Sequence, residues 1–120
     1  MNIFIVEDDI DLQNIYEFLL ITNGFQVIGK ADNGEEAITK YRNFIEKPDI
    51  ILMDHRMPIK NGIKATKEII MMNKNAKILF ASADLKVKKQ ALLAGAKYFL
   101  TKPFSCKQLI QKINLFFIKF

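Results

Sequence analysis

Cysteine and histidine are nearly missing from this chain: Cys106 and His55 are the sole examples in 120 residues. A lone thiol excludes an internal disulfide, and no Cys/His cluster with zinc spacing exists. Long apolar runs are missing as well. None approaches the roughly 18 residues that a membrane span needs, and Glu7-Asp8-Asp9 breaks any signal-peptide reading of the start. Low-complexity linkers and tandem repeats are absent. Half of the residues are apolar and 26% are charged, which excludes intrinsic disorder. At this length about two-thirds of the unfolded surface can be buried, enough for a core without disulfides or a structural metal. The expectation is a single soluble, reduced, cytoplasmic domain over residues 1–120.

The net charge of +5 invites a nucleic-acid reading, but it hides a division. Residues 1–54 carry 4 Lys/Arg and 11 Asp/Glu, a balance of −7. Residues 55–120 carry 14 and 2, a balance of +12. A basic half is commonly a solvated face and sometimes meets an anionic partner. An acidic half that ends in particular carboxylates is the more specific signal.

Short apolar runs alternate with segments of helical period. Ile3–Val6 reads as a buried strand. Asp9 suits a helix cap, ahead of Leu12, Ile15, Tyr16, Leu19 and Leu20 at i, i+3, i+4, i+7 and i+8, with Gly24 at the helix end. Phe25–Ile28 reads as a second strand. Asn33 with Glu36 resembles a capping box that opens a helix carrying Ala37, Tyr41, Phe44 and Ile45 on one face, stopped by Pro48. Ile50–Met53 forms a third strand ending at Asp54. A turn through Met57-Pro58 and Asn61-Gly62 leads to a third helix of about a dozen residues. Ile78–Ala81 is a fourth strand, followed by a helix ending near Gly95. Tyr98–Leu100 is a short fifth strand. Ser105 with Gln108 caps a last helix carrying Leu109, Ile113, Phe116 and Phe117. Five βα units imply an α/β fold, a five-stranded parallel sheet covered by helices on both faces. Such sheets bind ligands beyond the carboxyl ends of their strands.

Polar residues stand at those ends. Glu7 and Asp8 follow the first strand, Asp54 the third, Ser82 the fourth and Lys102 the fifth. Three carboxylates without His or Cys make a hard-oxygen site suited to Mg²⁺ rather than zinc. Asp54 is the best nucleophile, because a carboxylate can accept phosphate as an aspartyl phosphate. Lys102 and Ser82 would hold the phosphoryl oxygens by charge and by hydrogen bond.

With these residues placed, the sequence resembles the response-regulator receiver domain of two-component signalling. The motifs are the acidic Ile5-Val6-Glu7-Asp8-Asp9 start, Leu52-Met53-Asp54 with Met57-Pro58 and Gly62, Ala81-Ser82-Ala83, and Thr101-Lys102-Pro103-Phe104. The resemblance implies a doubly wound, flavodoxin-like (βα)5 sheet of order 2-1-3-4-5. It implies phosphoryl transfer from a sensor histidine kinase or phosphotransfer protein to Asp54, with Mg²⁺ required and with self-catalysed dephosphorylation rather than enzymatic turnover of a separate substrate. Asp8 becomes a direct metal ligand, Glu7 acts mainly through bound water, and the Arg56 backbone carbonyl completes the shell. Lys102 pairs with the phosphate while Ser82 moves toward it. Phe99, three residues before Lys102, is the switch aromatic that turns inward, where the family often has tyrosine. The altered face is the fourth helix, fifth strand and fifth helix. Lys102-Pro103 is a cis bond in the family.

Other residues read more plainly. Asp9 is a helix cap, His55 a surface or packing residue, Cys106 inert, and Met71-Met72 core or interface. The Arg56 side chain should overhang the site and, with Asp84, tune the lifetime of the aspartyl phosphate. Lys86, Lys88 and Lys89 on the fourth helix, Lys97, and Lys107, Lys112 and Lys119 suggest a basic output face for an acidic protein. The apolar last turn, Leu115 to Phe120, would cover the core or seed a homodimer. Among the alternatives, an aspartyl-nucleophile phosphohydrolase would favour a second Asp where Arg56 stands. A nucleic-acid module lacks any helix-turn-helix or RNA-binding signature, and a phosphorylation-blind receiver would not keep the full acid, Ser and Lys set. The chain could also be the amino-terminal receiver of a longer DNA-binding regulator, although no output domain is present in it.

Overall fold

The apolar runs pair as a five-stranded parallel sheet in the computed structural model, which describes residues 1–118. Its strands are β1 (Asn2–Val6), β2 (Gln26–Ala31), β3 (Ile50–Asp54), β4 (Ile78–Ser82) and β5 (Tyr98–Thr101). After them in turn come α1 (Ile10–Thr22), α2 (Gly34–Asn43), α3 (Gly62–Met72), α4 (Lys88–Ala94) and α5 (Cys106–Leu115). A 3-10 turn at Leu85–Val87 precedes α4. The strand order is β2-β1-β3-β4-β5, the flavodoxin-like arrangement that the resemblance implies.

The runs are continuously apolar because both faces of the sheet are covered. Successive side chains point to opposite faces. Phe4, Val6, Ile51, Met53, Phe80 and Phe99 therefore join one core with residues of α2, α3 and α4. Ile3, Ile5, Leu52, Leu79 and Leu100 join the other with Tyr16 and Leu20 of α1 and Leu109 and Ile113 of α5. Short side chains start the helices cleanly. Asp9 Oδ1 accepts from the Asp11 and Leu12 amides, Asn61 accepts from Lys64 N, and Ser105 with Gln108 forms a reciprocal capping box. Gly95, at φ +119°, ends α4 in the left-handed conformation.

Several expectations need correction. β2 runs on to Ala31, because backbone pairing with β1 carries it through the apolar gap at Gly29-Lys30. α2 ends at Asn43, well before Pro48, so Phe44 is its cap and Ile45 is fully exposed instead of lying on the buried face. Phe44 still reaches the core, edge-on to Phe4 with ring centroids 5.0 Å apart. Asn33 accepts from Glu36 N, but the Glu36 carboxylate pairs with Lys40 at 2.9 Å and leaves the box half-formed. Met71 and Met72 are exposed, not core. Lys86 lies in the 3-10 turn rather than in α4. At the end of the chain Phe116 is buried and Phe117 exposed, while Lys119 and Phe120 lie outside the described residues.

Candidate functional site

The parallel sheet brings the carboxyl ends of β1, β3, β4 and β5 to one edge, and the acidic residues meet there. Glu7, Asp8 and Asp54 each offer an oxygen within 4.8 Å of the others. Glu7 is 2% and Asp54 8% exposed, while Asp8 faces solvent. Lys102 extends its ammonium between the buried pair, Nζ lying 2.6 Å from Glu7 Oε1 and 2.9 Å from Asp54 Oδ1. The second Glu7 oxygen, Oε2, accepts from Asp9 N at 3.2 Å. Asp9 itself is engaged in capping α1, as the sequence suggests.

Burial sets the protonation of this cluster. The Glu7 carboxyl is raised to about 7, because desolvation outweighs its bond to Lys102. Burial also raises Asp54, with the Lys102 contact acting against it. For Lys102 burial opposes the charge, yet the bonds to Glu7 and Asp54 win and hold its pKa above the ordinary lysine value. Within the cluster itself three carboxyl groups share the single ammonium of Lys102. All of the cluster's donors are hard oxygens, so the site fits a small divalent cation such as Mg²⁺.

Ser82, Arg56 and Asp84 line the same cleft of about 630 Å³, whereas Phe99 and His55 lie outside it. Ser82 ends β4, buried, with its Oγ accepting from Asp84 N at 3.1 Å. Its carbonyl accepts from Lys102 N at 3.0 Å, tying the ends of β4 and β5 together. The exposed Arg56 side chain reaches across the mouth to Asp84, 3.5 Å away. Phe99 is buried on the sheet face behind the site, its ring stacked at 6.1 Å on Phe80. His55 also packs near Phe80, at 5.7 Å, and burial lowers its pKa; its Nδ1 is buried without a partner among the described residues. Lys102-Pro103 is cis.

Two contributors were not legible in the sequence. Tyr16 sits on the apolar stripe of α1, yet its ring lies under Lys102, with Nζ 5.9 Å from the centroid, and stacks on Phe104 at 5.3 Å. Lys86 lines the cleft from the 3-10 turn. Neither belongs to a motif; only the packing of α1 and the path of the β4–α4 connection bring them there.

The fold and the acidic pocket at the switch point of the sheet define a receiver. The family model described as response regulator receiver domain matches residues 3–114, and the chain belongs to that family. Receiver domains are phosphoacceptor signalling domains. The chain is similar to the chemotaxis protein CheY of Thermotoga maritima, 39% identical over 114 residues that cover 93% of each protein. It is 37% identical to CheY of Bacillus subtilis, again over 93% of each. Among solved structures, a chain of the CheX-CheY-BeF3-Mg²⁺ complex of Borrelia burgdorferi superposes with a TM-score of 0.94 at 32% identity, over 99% of this chain and 90% of that one.

Proposed function

We propose that the protein is a phosphorylation-controlled switch whose phosphoacceptor is Asp54. The observation that carries this reading is the double contact of Lys102 with Asp54 and Glu7 inside a three-carboxylate pocket. An Asp54 carboxylate oxygen attacks the phosphorus of a phosphohistidine on a sensor kinase or phosphotransfer protein. The P–N bond breaks as the O–P bond forms, and the imidazole leaves with the bonding pair and takes up a proton from water. Lys102 already touches the attacking carboxylate, so its ammonium can pass to a phosphoryl oxygen without crossing open space. Ser82 Oγ, which accepts from Asp84 N, keeps its own hydrogen to donate to the same group. Asp8, Asp54, Glu7 and the Arg56 backbone carbonyl would hold Mg²⁺, whose charge offsets that of the transferred group when it is bound. The Borrelia burgdorferi relative, solved with BeF3 and Mg²⁺, supports this assignment.

In the same reading, movement of Ser82 and repacking of Phe99 alter the face made by α4, β5 and α5. A groove of about 700 Å³ lies there between Lys88 of α4 and Lys112 of α5, with Phe99 and Leu100 among its lining. Together with the exposed Lys89 and Lys107, this basic frame suits an acidic protein target. Lys97 is better set apart, since it shares a different cavity with Lys74 and Lys77. We read residues 1–120 as a single receiver, supported by the matching lengths of the CheY relatives, and its setting as the cytoplasm, where Cys106 stays a free thiol. Incubation with acetyl phosphate and Mg²⁺, followed by mass measurement, tests the central step. Wild type should gain one phosphoryl group and Asp54→Ala none; an adduct on both, or on neither, overturns it.

A further inference from the structure

Gln13 lies on the inner face of α1 and is 4% exposed. Its Nε2 faces three oxygens: the Glu7 carbonyl at 2.9 Å, the Ala31 carbonyl at 3.2 Å and Asp32 Oδ1 at 3.0 Å. These belong to three segments: the residue just past β1, the end of β2, and the turn into α2. The Ala31 carbonyl also accepts from Glu7 N at 3.0 Å. Glu7 is therefore held at both polar groups of its backbone, through its own amide and through Gln13. Its side chain, pinned there, turns to Lys102.

A carboxamide suits this place for a chemical reason. It supplies two N–H hydrogens and no charge. The one carboxylate that Nε2 meets is Asp32; the other two partners are backbone carbonyls, which a neutral donor satisfies without bringing a charge into a buried site. An apolar side chain would strip a donor from buried carbonyls, and a carboxylate would meet three acceptors.

We propose that Gln13 is a positioning residue for the acidic pair. It fixes the end of β1 so that the Glu7 and Asp8 side chains leave the strand at a set distance from Asp54. It touches no reacting atom and acts through the Glu7 backbone. The proposal rests on the reading of the cluster as a Mg²⁺ site.

Calorimetric titration with MgCl2 tests it on the full chain, comparing wild type, Gln13→Met and Leu20→Ala. Leu20 belongs to the core under the same helix and its apolar side chain makes no hydrogen bond, so its truncation lowers stability while the Gln13 bonds stay in place. Both variants should melt lower than wild type, but only Gln13→Met should lose Mg²⁺ affinity, by severalfold. Unchanged affinity in Gln13→Met, or equal losses in both variants, overturns the proposal. Should Gln13→Met fail to fold, the wild-type Gln13 side-chain amide can be followed by ¹⁵N NMR. Its resonances should be slow to exchange and should shift as Mg²⁺ is added; signals that stay still through saturation overturn the proposal. A wild type that binds no Mg²⁺ removes the metal-site reading as well, whereas wild-type binding with an unimpaired Gln13→Met removes only the role of Gln13.

Discussion

Glu7 bears opposing demands in the proposed Mg²⁺ site, since its carboxyl is buried beside Asp54 yet would have to be ionised to take part in holding a cation. Its folded pKa of about 7 lies above the 4.5 of an unperturbed Glu, so the folded protein holds a proton that the unfolded chain releases. The stability this contributes is full below about pH 4.5 and is lost as pH rises through 7. In EDTA, thermal melts from about pH 4.5 to about pH 7.5 should show wild type losing ground to Glu7→Gln as pH increases. His55, with its lowered pKa, works in the opposite direction but is common to both proteins, whereas Asp54, also raised by burial and sharing Lys102 with Glu7, makes the difference a property of the pair. Parallel curves would count against the proton on Glu7. Arg56 is legible in the sequence as the individual residue of the site, but its tie to Asp84 is a tertiary fact. Both residues line the cleft, so Arg56→Ala should admit water and shorten the life of the aspartyl phosphate severalfold. A dephosphorylation rate equal to wild type would exclude this role.

The β3–α3 connection shows how closely an element can be bound to the site. Gly62 opens α3 against the backbone of β3, its amide bonded to the His55 carbonyl at 2.9 Å, and any Cβ there would collide with the Asp54 carbonyl. Gly62→Ala should cost about 2 kcal/mol or more and should slow acetyl phosphate labelling, because it displaces the Asp54 backbone. Asn61→Ala removes only the cap, should cost about 1 kcal/mol and should label at the wild-type rate. Urea unfolding with labelling time courses separates the two. Ile59 in the same connection has φ +70°, a conformation that a β-branched side chain adopts only under strain. Ile59→Gly should therefore raise stability by roughly 0.5–1 kcal/mol, the left-handed penalty less the entropy of an added glycine; a lower urea midpoint would refute the strain. Sequence patterning located these elements because apolar runs and capping side chains are local signals. It misplaced the ends of α2 and β2, the second because pairing with another strand decides it. β1 extends β2 past its apolar run, and α2 stops short of its proline.

Across the whole molecule, the charge division becomes a division of space. The acidic half supplies Glu7, Asp8 and Asp54 at the strand ends, while the later half supplies Lys102 to the same pocket and Lys88, Lys89, Lys107 and Lys112 to the α4–β5–α5 side. Lys88→Glu with Lys89→Glu should weaken capture of an acidic target and leave acetyl phosphate labelling intact. Loss of labelling in that double variant would place these lysines in the phosphorylation chemistry instead. The order of residues along the chain was enough to set the class of fold and the identity of the acidic set. Strands buried on both faces read as apolar runs, and a parallel sheet must gather the residues just past those runs at one edge. Three-dimensional packing added that Lys102 spans Glu7 and Asp54, that Tyr16 lies beneath that ammonium, and that Gln13 ties together the ends of β1 and β2. Those contacts join segments as much as 95 residues apart, and their distances depend on how helices settle on the sheet, which no local pattern encodes.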